Sequence, residues 1–185
     1  MNDFSEKYKR HSLRLRDYDY SRSGAYYITI CTKNKECLLG EIITDKTPLI
    51  RLSPIGGIVR KFWLEIPEQF RNVELDEFVI MPNHIHGAII INPVGAIHEL
   101  PLQSQQPRRQ MLIPKIVGWY KMNSAKHINA IRKTPGMPVW QRNYYEHIIR
   151  NEESMNRIRE YIINNPIKWE IDNENPKNIE KTLGG

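Results

Sequence analysis

The order of extended and helical segments predicts an α+β fold: a ferredoxin-like βαββαβ sandwich with an antiparallel sheet and an additional C-terminal helix. Three features predict it. β-rich runs flank a Pro-Asn pair in the middle of the chain, two amphipathic stretches separate the runs, and a capped helical segment follows the last strand.

Taken in order, Gly24 breaks a polar opening, and AYYITICTK then alternates β-forming residues, giving a first strand over Ala25–Lys33. After the turn Lys33-Asn34-Lys35, CLLGEII reads as a shorter paired strand or an extension. Ser53 is an N-cap candidate and Pro54 suits a first helical turn. Ile55, Ile58, Val59, Phe62, Trp63 and Ile66 then recur at three and four, and Pro67 should stop this helix. Two strands follow, Val73–Met81 and His84–Asn92. Pro82 presets the turn between them, and Asn83 tolerates a left-handed backbone. Pro93 to Gln110 reads as a long loop ending in Arg108-Arg109. From Met111, apolar residues Leu112, Ile113, Ile116, Val117, Tyr120, Ile128 and Ile131 form a helical stripe, closed by Pro135 and Gly136. A fourth strand is expected over Val139–Ile149. Asn151 should cap the last helix, with Glu152 and Glu153 favourable at its N-terminus. Pro166 should push Asn165 out of the helical region and end the helix there. The expected organisation is a basic arm over 1–23, one domain over 24–170 with the loop 93–110 inserted, and a loose polar tail over 171–185.

Composition narrows the function. The 185 residues are 40% hydrophobic and 26% charged, enough for a packed core. Lys+Arg 27 against Asp+Glu 21 leave +6, a bias toward a polyanionic partner. No apolar run has membrane-span length, and MNDFSEKYKR has no signal core, so a cytoplasmic protein is expected. Cys31 and Cys37 cannot build a disulfide scaffold or a four-cysteine zinc site.

Three motifs carry candidate chemistry. In His84-Ile85-His86 both imidazoles share one face of a strand, where two neutral rings can hold a divalent metal. The pair also fits two ordinary histidines at a strand end. In the last helix Met155, Ile158 and Ile162 face the core, while Arg157, Tyr161 and Asn165 form an adjacent stripe. Tyr161 there is either a packing residue with its hydroxyl in water or a reactive phenol. The run WQRNYYEHIIRN interleaves Arg142 and Arg150 with Trp140, Tyr144 and Tyr145. This suits either phosphates and bases or a cross-strand aromatic cluster.

Several blocks together carry a family likeness: HSLRLRDYDYSRSGAYYITICTK, VIMPNHIHGAIII, GWYKMNSAKHIN and VWQRNYYEHIIRNEESMNRIREYIINNPIKW. The chain resembles the REP-associated tyrosine transposases, relatives of the single-tyrosine HUH transposases of bacterial insertion sequences. The likeness covers most of the chain from His11 to Trp169 and is weak in the loop and tail. It implies that His84 and His86 are the metal-binding pair, Tyr161 the nucleophile and Asn165 a further metal ligand. Mg²⁺ or Mn²⁺ is the implied ion, and a hairpin of single-stranded DNA with a short flank the implied partner. Glu146 and His147 also match a family block, as support behind the site or as structural residues.

Arg14, Arg16, Lys121, Lys126, Arg142 and Arg150 are the candidate phosphate contacts. The implied reaction is attack by Tyr161 on a phosphodiester, giving a 5′-phosphotyrosine that a 3′-hydroxyl can reverse. Two other readings are a nucleic-acid-binding module without chemistry and a metal-dependent phosphodiesterase that activates water. A monomer and a homodimer are both compatible with the likeness.

Overall fold

The computed structural model describes residues 23–44, 47–93, 111–172 and 174–178. Arg14 and Arg16, with the expected arm except Ser23, lie outside the described residues, as does the expected loop except Pro93. Strands β1 (Gly24–Cys31), β4 (Val73–Ile80), β5 (His84–Ile91) and β6 (Tyr145–Ile149) form a sheet in the order β4-β5-β1-β6. Every neighbouring pair is antiparallel. Helices α1 (Pro54–Leu64), α2 (Ile66–Gln69), α3 (Leu112–Arg132) and α4 (Glu152–Ile163) complete the α+β sandwich. Between β1 and α1 the chain inserts a two-stranded ribbon, β2 (Gly40–Ile43) and β3 (Leu49–Leu52).

Alternation along the strands divides the molecule into two cores. On one sheet face, Tyr26, Ile28 and Ile30 of β1 and Ile85, Ile89 and Ile91 of β5 pack with Val59, Phe62 and Trp63 of α1. Ile113, Ile116, Val117 and Tyr120 of α3 close this larger core. On the other face Tyr27, Ala88 and Ile149 meet Met155 and Ile162 of α4. The two faces therefore carry different work: α1 and α3 bury most of the apolar surface, while α4 covers the face that displays the histidines.

Local chemistry explains the elements. Ser53 caps α1 by accepting from Gly56 N at 3.0 Å, as its sequence position predicts. Asn151 caps α4 by accepting from Ser154 N at 2.8 Å. Gly87 is required by packing: a Cβ there would lie 2.3 Å from Trp63 Cζ2. We expect Gly87→Ala to lower stability by about 1–3 kcal/mol through overpacking, read as a shift of the urea midpoint at unchanged slope.

Several boundaries differ from expectation. Pro67 does not stop α1; the helix closes at Glu65, and Pro67 enters the first turn of α2. The last strand is shorter than Val139–Ile149, since only the Trp140–Thr32 bridge precedes β6. Asn83 is absent from the residues with left-handed backbone; among the described non-glycine residues Asn34, Lys35 and Lys133 adopt it. Asn165 stays helical (φ −60°, ψ −42°), and a 3₁₀ turn over Pro166–Ile171 continues from α4. The stretch from Asp172 is not loose where it is described. Glu174 O accepts from Asn83 Nδ2 at 2.7 Å, and Glu174 pairs with Lys35 at 3.1 Å. No described helix is long and apolar enough to cross a membrane.

Candidate metal and tyrosine site

The site lies on the α4 face of the sheet, and its residues come from β1, β5, α4 and the turn beyond. On β5, His84 and His86 alternate with Ile85, which enters the opposite core. Their ring centroids are 4.4 Å apart. Both rings are buried, which disfavours the charged form; His86 is lowered to about 3 and His84 falls well below the ordinary histidine range. Neutral imidazole is the form that donates a lone pair to a metal.

Hydrogen bonds orient both rings. Asn83 Nδ2 donates to Lys35 O at 3.0 Å and Glu174 O at 2.7 Å, so its Oδ1 is left to accept from His84 Nδ1 at 2.8 Å. That places the His84 proton on Nδ1 and the lone pair on Nε2. The Nδ1 of His86 is engaged by the Tyr27 hydroxyl at 2.6 Å and Thr29 Oγ1 at 2.9 Å, leaving Nε2 as the atom facing the site. Among the described residues, His84 Nε2, His86 Nε2 and Asn165 Oδ1 are all buried without a hydrogen-bond partner. A buried polar atom left so costs about 1–3 kcal/mol. Each of the three is an atom type that can ligate a divalent cation.

Tyr161 sits edge-on to His86 and Tyr27, its ring centroid 5.3 Å and 6.2 Å from theirs. It is 41% exposed, whereas Asn165 one turn later is 1% exposed. Partial burial and the charge of Asp172 raise the Tyr161 pKa; hydrogen bonding with Asn165 and Tyr27 opposes the rise. The stripe read from the sequence thus brings Tyr161 beside His86 and pairs it with Asn165 one turn on. Arg157, the third member, instead pairs on the surface with Glu153 at 2.7 Å.

Two features were not read from the sequence. Arg159 clamps α4 to β4, its Nε and Nη2 donating to the two Asp76 oxygens at 2.8 and 2.7 Å. These bonds hold the Asp76 carboxyl below the ordinary range. Asp76 lies at the irregularity in β4 between Leu75 and Phe78, where the pairing register shifts. Asp76→Asn should speed amide exchange across α4 about tenfold while leaving β1 and β5 protected, as measured by hydrogen–deuterium exchange. The second is Asp172, whose Oδ2 stands 4.0 Å from His84 Nε2. His84, His86 and Asp172 bring one ligand atom each within 4.8 Å of one another, a group that could hold a metal.

The other candidates separate. Glu146 pairs in register with Ile28, so it lies on the α1 and α3 face and does not back the imidazoles. His147 pairs with Tyr27 on the site face and is exposed. Lys121 Nζ donates to Gln141 O and Asn143 O, both at 2.9 Å, and burial lowers its pKa to about 8. It fastens a loop to α3. Lys126, Arg142 and Arg150 are exposed, Lys126 on α3 across the sheet from the histidines. Trp140 is a core residue that donates to Ser124 Oγ at 3.0 Å, whereas Tyr145 is exposed beside Tyr27.

No protein-family model matches the sequence. The chain is 47% identical over 169 residues to an uncharacterised protein of Haemophilus influenzae, covering 88% of this chain and 91% of that one. The chain belongs to the family of that protein. Its fold is similar to that of a solved REP-associated tyrosine transposase bound to a REP hairpin, with a TM-score of 0.55 and 19% identity. That similarity covers 84% of this chain and 73% of the transposase chain. The fold expected from the sequence blocks is therefore met.

Proposed function

We propose that the protein is a single-tyrosine transposase that cleaves and rejoins single-stranded DNA beside a hairpin. The observation that carries this reading is a half-exposed phenol, Tyr161, that stands against His86 and hydrogen-bonds with Asn165, while His84 Nε2, His86 Nε2 and Asn165 Oδ1 are buried and unpartnered. The solved transposase of similar fold holds a REP hairpin, which supports a hairpin of the same kind as the partner here.

The residues divide the work. His84, His86 and Asn165 would hold Mg²⁺ or Mn²⁺, which supplies Lewis-acid polarisation of a non-bridging phosphate oxygen. Tyr161 Oη attacks the phosphorus, forming a 5′-phosphotyrosine as the bond to the 3′-oxygen breaks and that oxygen leaves as a hydroxyl. The phosphotyrosine retains the phosphodiester, so a 3′-hydroxyl can reverse the step and join a strand. Tyr27 and Asn165 orient the phenol and oppose the rise in its pKa, which favours loss of its proton. The exposed Arg142 and Arg150 flank β6 and are the described candidates for phosphate contact.

The test is incubation of the full chain with 5′- and 3′-labelled hairpin DNA in Mn²⁺, followed by denaturing electrophoresis. A denaturation-resistant adduct that carries the 3′ label, the strand 3′ of the cut being attached through its 5′ phosphate, supports the proposal. Tight binding without cleavage would replace it with a binding module, and cleavage with no adduct would replace it with a water-activating phosphodiesterase.

A further inference from the structure

We propose that Asp172 is a ligand of the same metal, so that the site is closed by a carboxylate from the segment after α4. This rests on the reading that His84 and His86 bind a divalent ion. Adjacent ligands of an octahedral ion with bonds near 2.1 Å stand about 3 Å apart, and opposite ones about 4.2 Å. Asp172 Oδ2 is 4.0 Å from His84 Nε2, and the three ligand atoms span no more than 4.8 Å. A small contraction, within the reach of a side-chain rotation, brings them onto one ion.

The carboxylate is also prepared for the role. Asp172 Oδ1 accepts from Glu174 N at 2.7 Å, and its carbonyl accepts from Asn178 Nδ2 at 2.9 Å. Oδ2 is therefore the oxygen directed toward the imidazoles, on a side chain only 10% exposed. Lys35 makes an ion pair with Glu174 at 3.1 Å, and its charge also acts on Asp172. A buried carboxylate is costly unless a cation or hydrogen bonds offset it.

The same Asn83 side chain serves both halves of the site: Oδ1 sets the His84 tautomer while Nδ2 holds the Glu174 carbonyl. Two imidazoles and an amide oxygen are all neutral. The carboxylate adds one negative charge and a hard oxygen donor, which shifts preference toward Mn²⁺ over softer ions. Metal binding and docking of Asp172 with residues 174–178 are then linked, each favouring the other.

Titration of the metal-free full chain with MnCl₂, without DNA, tests this by calorimetry and by the electron paramagnetic resonance of free Mn²⁺. Asp172→Asn keeps the acceptor for Glu174 N and should melt like the parent in chelator. It should bind Mn²⁺ at least about tenfold more weakly, and lose less affinity for Zn²⁺. Equal Mn²⁺ affinity in parent and Asp172→Asn, with His86→Ala impaired, would overturn the carboxylate ligand and leave the metal site standing. No Mn²⁺ binding by the parent would overturn both.

Discussion

Tyr161→Phe is expected to abolish covalent adduct formation, by at least about a thousandfold, with the protein still folded. The reason is local. The phenyl ring would keep its edge contacts with Tyr27 and His86, and only the hydroxyl is lost. That hydroxyl contributes little to the core, because the side chain is 41% exposed. The unfolding free energy should change by less than about 1 kcal/mol, as for most surface changes. Mn²⁺ affinity should also persist, since His84, His86 and Asn165 are untouched. Activity lost with folding and metal binding retained assigns the phenol to bond formation. Cleavage that survives the substitution would exclude Tyr161 as the nucleophile.

The second large effect is on acid stability of the metal-free protein. Burial depresses both histidines, His86 to about 3. Below the ordinary histidine pKa near 6.5 the unfolded chain takes up two protons that the folded chain refuses. Stability from this source is therefore complete above about pH 6.5 and is lost as pH falls toward the folded values. Each histidine contributes a slope of about 1.4 kcal/mol per pH unit, so the pair gives about 2–3 kcal/mol per unit. His86 and Lys35 reinforce the effect at His84 by like-charge repulsion. Asp172 acts oppositely: burial raises its carboxyl pKa, so it protonates earlier in the folded state and softens the limb at its acidic end. Urea melts in chelator at pH 7, 6 and 5 should show the fall, and His84→Gln with His86→Gln should flatten it. A parent limb as flat as that of the double variant would show that the rings are not held neutral by burial.

Much of the fold was legible because period and punctuation agreed. The β5 alternation, the three-four spacing of α1 and α3, and the caps Ser53 and Asn151 all matched their final states. The Tyr161–Asn165 relation followed from one helical turn. Other parts had no local signal. The strand β3 is four residues long and, among the described residues, pairs only with β2, so its pattern is too short to stand out. The aromatic run before β6 looked like strand, but Trp140 is drawn into the α3 core through Ser124. Asp172 was invisible for a different reason. A single carboxylate in a polar stretch acquires meaning only when Asn83 and Lys35 hold its neighbour Glu174 against the sheet.

The missing side chain at Gly87 has a consequence for the histidines next to it. Because strand side chains alternate, sliding β5 by a single position would swap inside for outside and turn both imidazoles into the greasy layer beneath. Only one position along β5 can accept the Trp63 indole at this distance. The indole thus works as a peg in a keyhole: it sets the frame in which the strand is read, and so decides which side of the sheet the chemistry is on.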